Sequence, residues 1–447
     1  MTKDQKILRL FHPRGVLEGY QGRARLLGGS RLRRAVPAGL LDAGTASLAS
    51  FAITVQAARS FAPAELGTYA LFYTAFIMTA VVPTHLLFSP AEISSIAYPE
   101  PRRLRLLDQS LHRGLLLALG TAVIGMLAAV VGTAGAPGHL VVPLVLTSVA
   151  CTAVSPVQDH VRRLLHFAGH SWKAAAVSTT QLAGALGSLL AFSQFHVPVA
   201  WVPFGALLCA NVVSLTVGLR LSAAARRGFP ALDRLATVDL LRSGRWLLLV
   251  GLTPAAARFI AGVLVTHLAS AATFGYFEAS RVVAQPVYVL QMGLAAVFTP
   301  GLLKAGSERA AGLASRVSFP FKVLLSAGAF LYLLAVSVAW PLNPLPRLLP
   351  SAYVVTWAIP LTILALLLQG ILHPARSELM GAGQAPKLLR LEIVSSSLLC
   401  MVAATAPLTG VLAVPIGWVI QGSAGLWLFE RARSRIYAKE GADLHEP

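Results

Sequence analysis

The amino-acid sequence predicts an all-α polytopic membrane protein of about 12 transmembrane helices, built as two pseudo-symmetric six-helix lobes. Four observations carry this expectation. Of the 447 residues, 56% are hydrophobic and only 12% charged. Apolar runs of about twenty residues, the length that crosses a hydrocarbon core, recur throughout. Two stretches 214 residues apart share one pattern, Arg162-x2-Leu165-x2-Ala168-Gly169-x3-Lys173 and Arg376-x2-Leu379-x2-Ala382-Gly383-x3-Lys387. Gly67 recurs as Gly275 at an offset of 208, and Phe88-Ser89-Pro90 as Phe298-Thr299-Pro300 at 210. Self-similarity at a nearly fixed offset marks a duplicated unit. Finally, the basic residues gather on alternate loops, as the topology of a multi-pass protein requires.

Reading the apolar runs between charged loops places spans at 36–58, 68–90, 114–135, 140–158, 173–193, 198–219, 246–266, 276–300, 319–341, 351–372, 389–407 and 408–429. Spans eleven and twelve are divided only by a tight turn at Ala406-Pro407-Leu408-Thr409-Gly410. The expected organisation is therefore a basic tail (1–35), an N-lobe (36–219), a basic linker (220–245), a C-lobe (246–429) and a C-terminal tail (430–447). The tails and the even-numbered loops hold 32 of the 37 Lys and Arg. The positive-inside rule then puts both termini in the cytoplasm. Because six spans separate the matching motifs, both copies share one orientation, as in transporters whose halves are related by an axis along the membrane normal.

The net charge of +19 would suggest nucleic acid in a soluble chain, but here it reads as topology and as contact with anionic lipid headgroups, with no nucleic-acid partner. Cys151, Cys209 and Cys400 lie in apolar spans and read as small core hydrophobes. Thirty-five polar, basic residues precede the first apolar run, which is too long for the core of a cleavable signal peptide. His85, His166, His170, His267 and His373 show no metal-ligand spacing, and no phosphate-binding P-loop occurs. No metal, cofactor or catalytic pair is expected, and the chain reads as a transporter rather than an enzyme.

Ionisable groups inside a bilayer need a partner or a task. Arg258 lies twelve residues beyond Trp246, roughly 18 Å into a core about 30 Å thick. A guanidinium near the midplane either closes a buried ion pair or grips an anionic ligand through its bidentate fork. On span eight, Glu278 and Arg281 share a face and either pair with each other or divide the work, Arg281 toward substrate and Glu278 as carrier of a coupling proton. On span one, Asp42, Thr45 and Gln56 form a polar stripe expected to face a cleft, with Asp42 a second ion-coupling candidate and Gln56 a substrate contact. Glu92, Asp159, His160, Glu378 and Glu392 sit near span ends with basic neighbours and read as surface salt bridges. At the offset of 208, Arg258 replaces Ser50 and Glu278 replaces Ala70, so these charges belong to the second copy alone.

The segment 57–69, Ala57-Ala58-Arg59-Ser60-Phe61-Ala62-Pro63-Ala64-Glu65-Leu66-Gly67-Thr68-Tyr69, joins spans one and two. It resembles the A-R-x-hydrophobic-x-P-x-x-hydrophobic-G-x-Y turn of polysaccharide (O-antigen type) flippases. These belong to the multidrug/oligosaccharidyl-lipid/polysaccharide (MOP) exporter superfamily. The Arg-x2-Leu-x2-Ala-Gly loops are similar to that family's loops as well. The resemblance implies a V-shaped cleft between the lobes and translocation of undecaprenyl-diphosphate-linked oligosaccharide to the outer leaflet for surface polysaccharide. Arg258, then Arg281, would neutralise the diphosphate. The lipid-linked oligosaccharide, membrane lipids, a polysaccharide polymerase and glycosyltransferases are the implied partners. A cation-coupled drug or metabolite antiporter of the same superfamily is the alternative, with Asp42 or Glu278 as coupling group. An intramembrane polymerase or glycosyltransferase is disfavoured, because the outward loops are too short for a catalytic platform.

Overall fold

The computed structural model describes residues 29–95, 100–133, 135–226 and 234–443. Twelve long helices order the described chain: α1 Gly29–Ser60, α2 Pro63–Pro83, α3 Glu100–Gly132, α4 Gly138–Phe167, α5 Ser171–Gln194, α6 Val202–Arg226, α7 Arg234–Leu268, α8 Ala271–Ser307, α9 Ala311–Ser337, α10 Ala358–Ile371, α11 Ala385–Ala403 and α12 Ala413–Asp443. The expected all-α membrane fold is present. Ten helical stretches are long and apolar enough to cross a bilayer, and the bent α8 makes an eleventh. The remaining expected span, the eleventh, corresponds to α11, which is only 19 residues long and carries Lys387, Arg390 and Glu392 in its first eight. Large apolar side chains on α3, Leu116, Ile124, Leu127 and Val131, are 61–75% exposed, as a lipid-facing surface requires.

The loop patterns seen in the sequence are helix caps. In the turn after α4, Gly169 takes a left-handed φ of 76°, His170 N–H donates to Leu165 O at 2.9 Å and Gly169 N–H to His166 O at 3.0 Å. At the matching turn, Gly383 has φ 72°, Gln384 N–H donates to Leu379 O and Gly383 N–H to Met380 O, both at 3.0 Å. Both are Schellman closures, where glycine avoids the steric cost of the left-handed region. The turn 57–69 is equally structural. Pro63 presets the first turn of α2, the Glu65 carboxylate accepts the Ala62 N–H at 2.9 Å, and Phe61 stacks on Tyr69 at 5.7 Å.

Packing divides the chain into two compact units, Gly19–Gly275 and Tyr276–Pro447. The division falls at Gly275 rather than in the linker 220–245, because α7 packs along α2. Within the first unit α1 lies on α5, α5 on α6, and α4 against both α3 and α6. The repeat-related glycines meet at a helix crossing: a Cβ on Gly67 would lie 1.8 Å from Ala271 O, and one on Gly275 1.9 Å from Pro63 O. The contact is reciprocal, since Pro63 and Ala271 are themselves 208 residues apart. In the second unit α12 packs on α10 and α11, and α9 on α10.

Candidate functional site

One face of α4 carries Ser155, Gln158, Asp159, Arg162 and His166, spaced by three or four residues and so stacked along one side of the helix. The neighbouring helices meet this face with polar side chains of their own. Near its basic end, Asp42 of α1 is 7% exposed and receives three groups. Ser178 Oγ of α5 donates to its Oδ1 at 2.5 Å, His166 Nε2 lies 3.0 Å from Oδ2, and Arg162 Nη1 is 3.6 Å from Oδ1. Arg162 also donates to Ser178 Oγ at 3.1 Å and to Asp159 at 3.0 Å. The guanidinium thus keeps a counter-charge whichever state Asp42 adopts.

Further along, Gln181, one turn beyond Ser178 on α5, donates to Asn211 Oδ1 of α6 at 2.7 Å, and Asn211 Nδ2 donates to Ser155 Oγ at 2.6 Å. Asn211 is 2% and Gln181 8% exposed. The column is not saturated: Gln181 Oε1 and Gln158 Nε2 are buried without a hydrogen-bond partner. Orphaned buried acceptors and donors on one polar face call for water, since leaving each unmade costs about 1–3 kcal/mol. This arrangement can hold, exchange and pass a proton or small cation.

The second unit repeats the plan with different chemistry. Gln369 Nε2 donates to Gln421 Oε1 at 3.2 Å, and Gln421 Nε2 to Ser396 Oγ at 3.4 Å. Gln369 stands 214 residues after Ser155, and Gln421 210 after Asn211. Arg376 donates to Glu392 Oε2 at 2.8 Å, where Glu392 is 2% exposed. Beside it, Glu378 is fully buried and accepts from Arg433 Nε at 2.5 Å and from Tyr437 OH at 2.7 Å. Lys322 Nζ holds Glu430 at 2.6 Å.

The sequence-predicted candidates are scattered. Glu278, 1% exposed, is gripped by its own neighbour Arg281 through two bonds of 2.8 and 2.5 Å, so this pair is formed within α8. Arg258 is half-buried on α7 between the buried Ala257 and Phe259. Gln56 is exposed and donates to Ser60 Oγ at 2.9 Å, while Thr45 donates to Leu41 O of its own helix at 2.8 Å. Of the expected stripe on α1, only Asp42 meets charged groups from other helices. The surface reading of the span-end charges is corrected for His160, Glu378 and Glu392, which are 1%, 0% and 2% exposed. His160 stacks on Phe88 at 4.2 Å and bridges Ser110 and Glu92. Span ends in a multi-helix bundle are surface only on their lipid or water side. Ser155, Gln158, Arg162, Ser178, Gln181 and Asn211 were missed as a site, although the three-to-four spacing on α4 was available as a signal.

No protein-family model and no curated protein matches this chain. Solved structures do. A multidrug resistance MATE family transporter of the MOP superfamily, in an inward-facing conformation, superimposes with a TM-score of 0.67 at 19% identity, over 89% of this chain and 96% of that one. An outward-facing conformation of such a transporter gives 0.63 at 18% identity, over 91% and 96%. MATE in a bent conformation gives 0.61 at 18% identity, over 99% of both chains. These neighbours share the fold and say nothing of a flippase subtype. At this identity the likeness is one of fold, and the fold of this multi-pass membrane chain is that of the MATE transporters of the MOP superfamily.

Proposed function

We propose that this protein is a cation-coupled exporter working by alternating access, with Asp42 as the group that exchanges the coupling proton. The observation that carries the reading is the buried Asp42 carboxylate, held between α1, α4 and α5 at the foot of an unsaturated polar column. In the charged state it ties α1 to α5 through Ser178 and to α4 through Arg162 and His166. Protonation removes the acceptor charge from all three contacts, while Arg162 stays paired with Asp159, so α1 is released without stranding a buried charge. A ligand that binds one protonation state better shifts the equilibrium by that differential affinity. The fold neighbours, named as multidrug transporters, favour a small organic solute as substrate. The basic loops and both termini are assigned to the cytoplasm on their charge alone.

A second reading keeps the cycle and changes the cargo to an undecaprenyl-diphosphate-linked oligosaccharide. It is supported by the segment 57–69 and by the guanidinium of Arg258. We rank it second because the residues of that segment cap α2 and make its crossing with α8, roles that any cargo would need. The test is efflux of a cationic dye from vesicles holding purified protein under an imposed pH gradient, beside a deletion strain assayed for lipid-linked glycan. Dye movement that dissipates the gradient and is lost in Asp42→Asn supports the first reading. Gradient-independent behaviour toward dye, with glycan accumulating in the deletion strain, replaces it with the second.

A further inference from the structure

The repeat arginines Arg162 and Arg376 occupy equivalent positions, and each reaches the residue sixteen further on, Ser178 and Glu392 respectively. In the second unit that residue is itself the acid, 2% exposed. In the first unit the acid comes from α1, and the position opposite Arg162 on the carboxylate is taken by a histidine. His166 presents Nε2 to Asp42 Oδ2 at 3.0 Å and Nδ1 to Ser171 Oγ at 3.2 Å. Its side chain is 31% exposed, against 10% for that of Asp42. One edge of the imidazole therefore faces the buried carboxylate and the other the basic aqueous side.

We infer that His166 is the proton relay between Asp42 and the aqueous phase on the basic side, an inference that rests on the coupling role proposed for Asp42. In the release step the Oδ2–H bond of protonated Asp42 breaks and an Nε2–H bond forms, leaving an imidazolium beside a carboxylate. The Nδ1–H proton then passes to water past Ser171 Oγ, and the ring keeps Nε2–H as a donor to Asp42. The half-exposed ring resets by exchange with water and rotation about χ2. The charged and titratable groups on the packed elements are few. Arg162 contacts Asp42 and Asp159, Arg163 is bonded to Glu92 at 3.3 Å, and His170 and Lys173 stand in the loop and first turn of α5.

The experiment is an infrared pH-jump on the full chain in zwitterionic vesicles with no substrate, following the protonated-carboxyl band that disappears in Asp42→Asn. His166→Gln and His166→Asn, which keep an N–H donor toward Asp42, are expected to slow that band by about 100-fold at unchanged amplitude, the lower range for a positioned proton-transfer group. Added imidazole is expected to restore the rate, which it would not do for a merely structural residue. A wild-type rate in both variants, or a slowed rate deaf to imidazole, overturns the relay and leaves Asp42 in place. A wild-type protein with no Asp42-dependent band overturns the coupling role and the relay together.

Discussion

The clusters around Arg162 and Arg376 are the same local structure serving two ends. Both arginines precede an Arg-x2-Leu-x2-Ala-Gly cap with identical hydrogen bonds, and both point to the helix that follows. Around Arg376 the acid, Glu392, sits on that following helix, so the pair is closed, buried and local to one hairpin. Around Arg162 the equivalent residue is Ser178, and the acid arrives from α1 together with a half-exposed histidine. In the cycle proposed above, drawing the carboxylate from the distant helix α1 instead of the following helix is what lets the contact be made and broken.

The sharpest way to break this contrast is to transplant one arrangement into the other. Asp42→Ser combined with Ser178→Glu builds the closed pair in the first unit; the protein is expected to fold but to lose proton-coupled transport entirely, read as dye efflux or glycan accumulation. Disrupting the closed pair does the opposite. Glu392→Gln takes the counter-charge from the Arg376 guanidinium, whose side chain is 25% exposed, and is expected to cost about 1.5–3 kcal/mol of stability, seen as a lowered thermal midpoint, with activity per folded molecule retained. Asp42→Asn is expected to cost less, because Arg162 keeps Asp159.

The glycine crossing tests the duplication itself. Gly67→Ala and Gly275→Ala each force a methyl into a backbone carbonyl of the other helix, and each is expected to destabilise by about 1–3 kcal/mol. The double variant should cost less than the sum, since both changes separate one contact. The smallest effect is at the caps. Arg309 holds φ 51° after α8 in a closure like those of Gly169 and Gly383. Arg309→Gly is expected to stabilise by about 1 kcal/mol, the steric cost of a side chain in the left-handed region. A thermal midpoint that falls instead would show that the Arg309 side chain outweighs the backbone strain.

Much of the fold was legible because it depends on local or periodic physics. A bilayer fixes the length of an apolar helix, glycine marks the left-handed cap, and loop charge sets sidedness. Span eleven was read correctly as a helix at α11, though its charged first two turns leave it short of a self-sufficient span. The site was only half legible. Asp42 stood out as an acid on an apolar helix, and Glu278 and Arg281 were close enough in sequence for their pairing to be anticipated. The partners of Asp42 lie 124 and 136 residues away, at His166 and Ser178, beyond any periodicity. Span-end charges such as His160 and Glu378 looked peripheral because sequence shows the depth of a residue along a helix, not which neighbour covers its face.

The sequence by itself therefore determined that this chain is an all-helical membrane protein whose motifs recur at a nearly fixed offset. Hydrophobic length, glycine caps and charge act on each segment separately. Tertiary structure alone decided which of two equivalent arginines received a local acid and which shared a distant one with a histidine. Burial is the physical reason that difference matters, since in a low-dielectric interior a carboxylate's state is governed by the few groups packed against it.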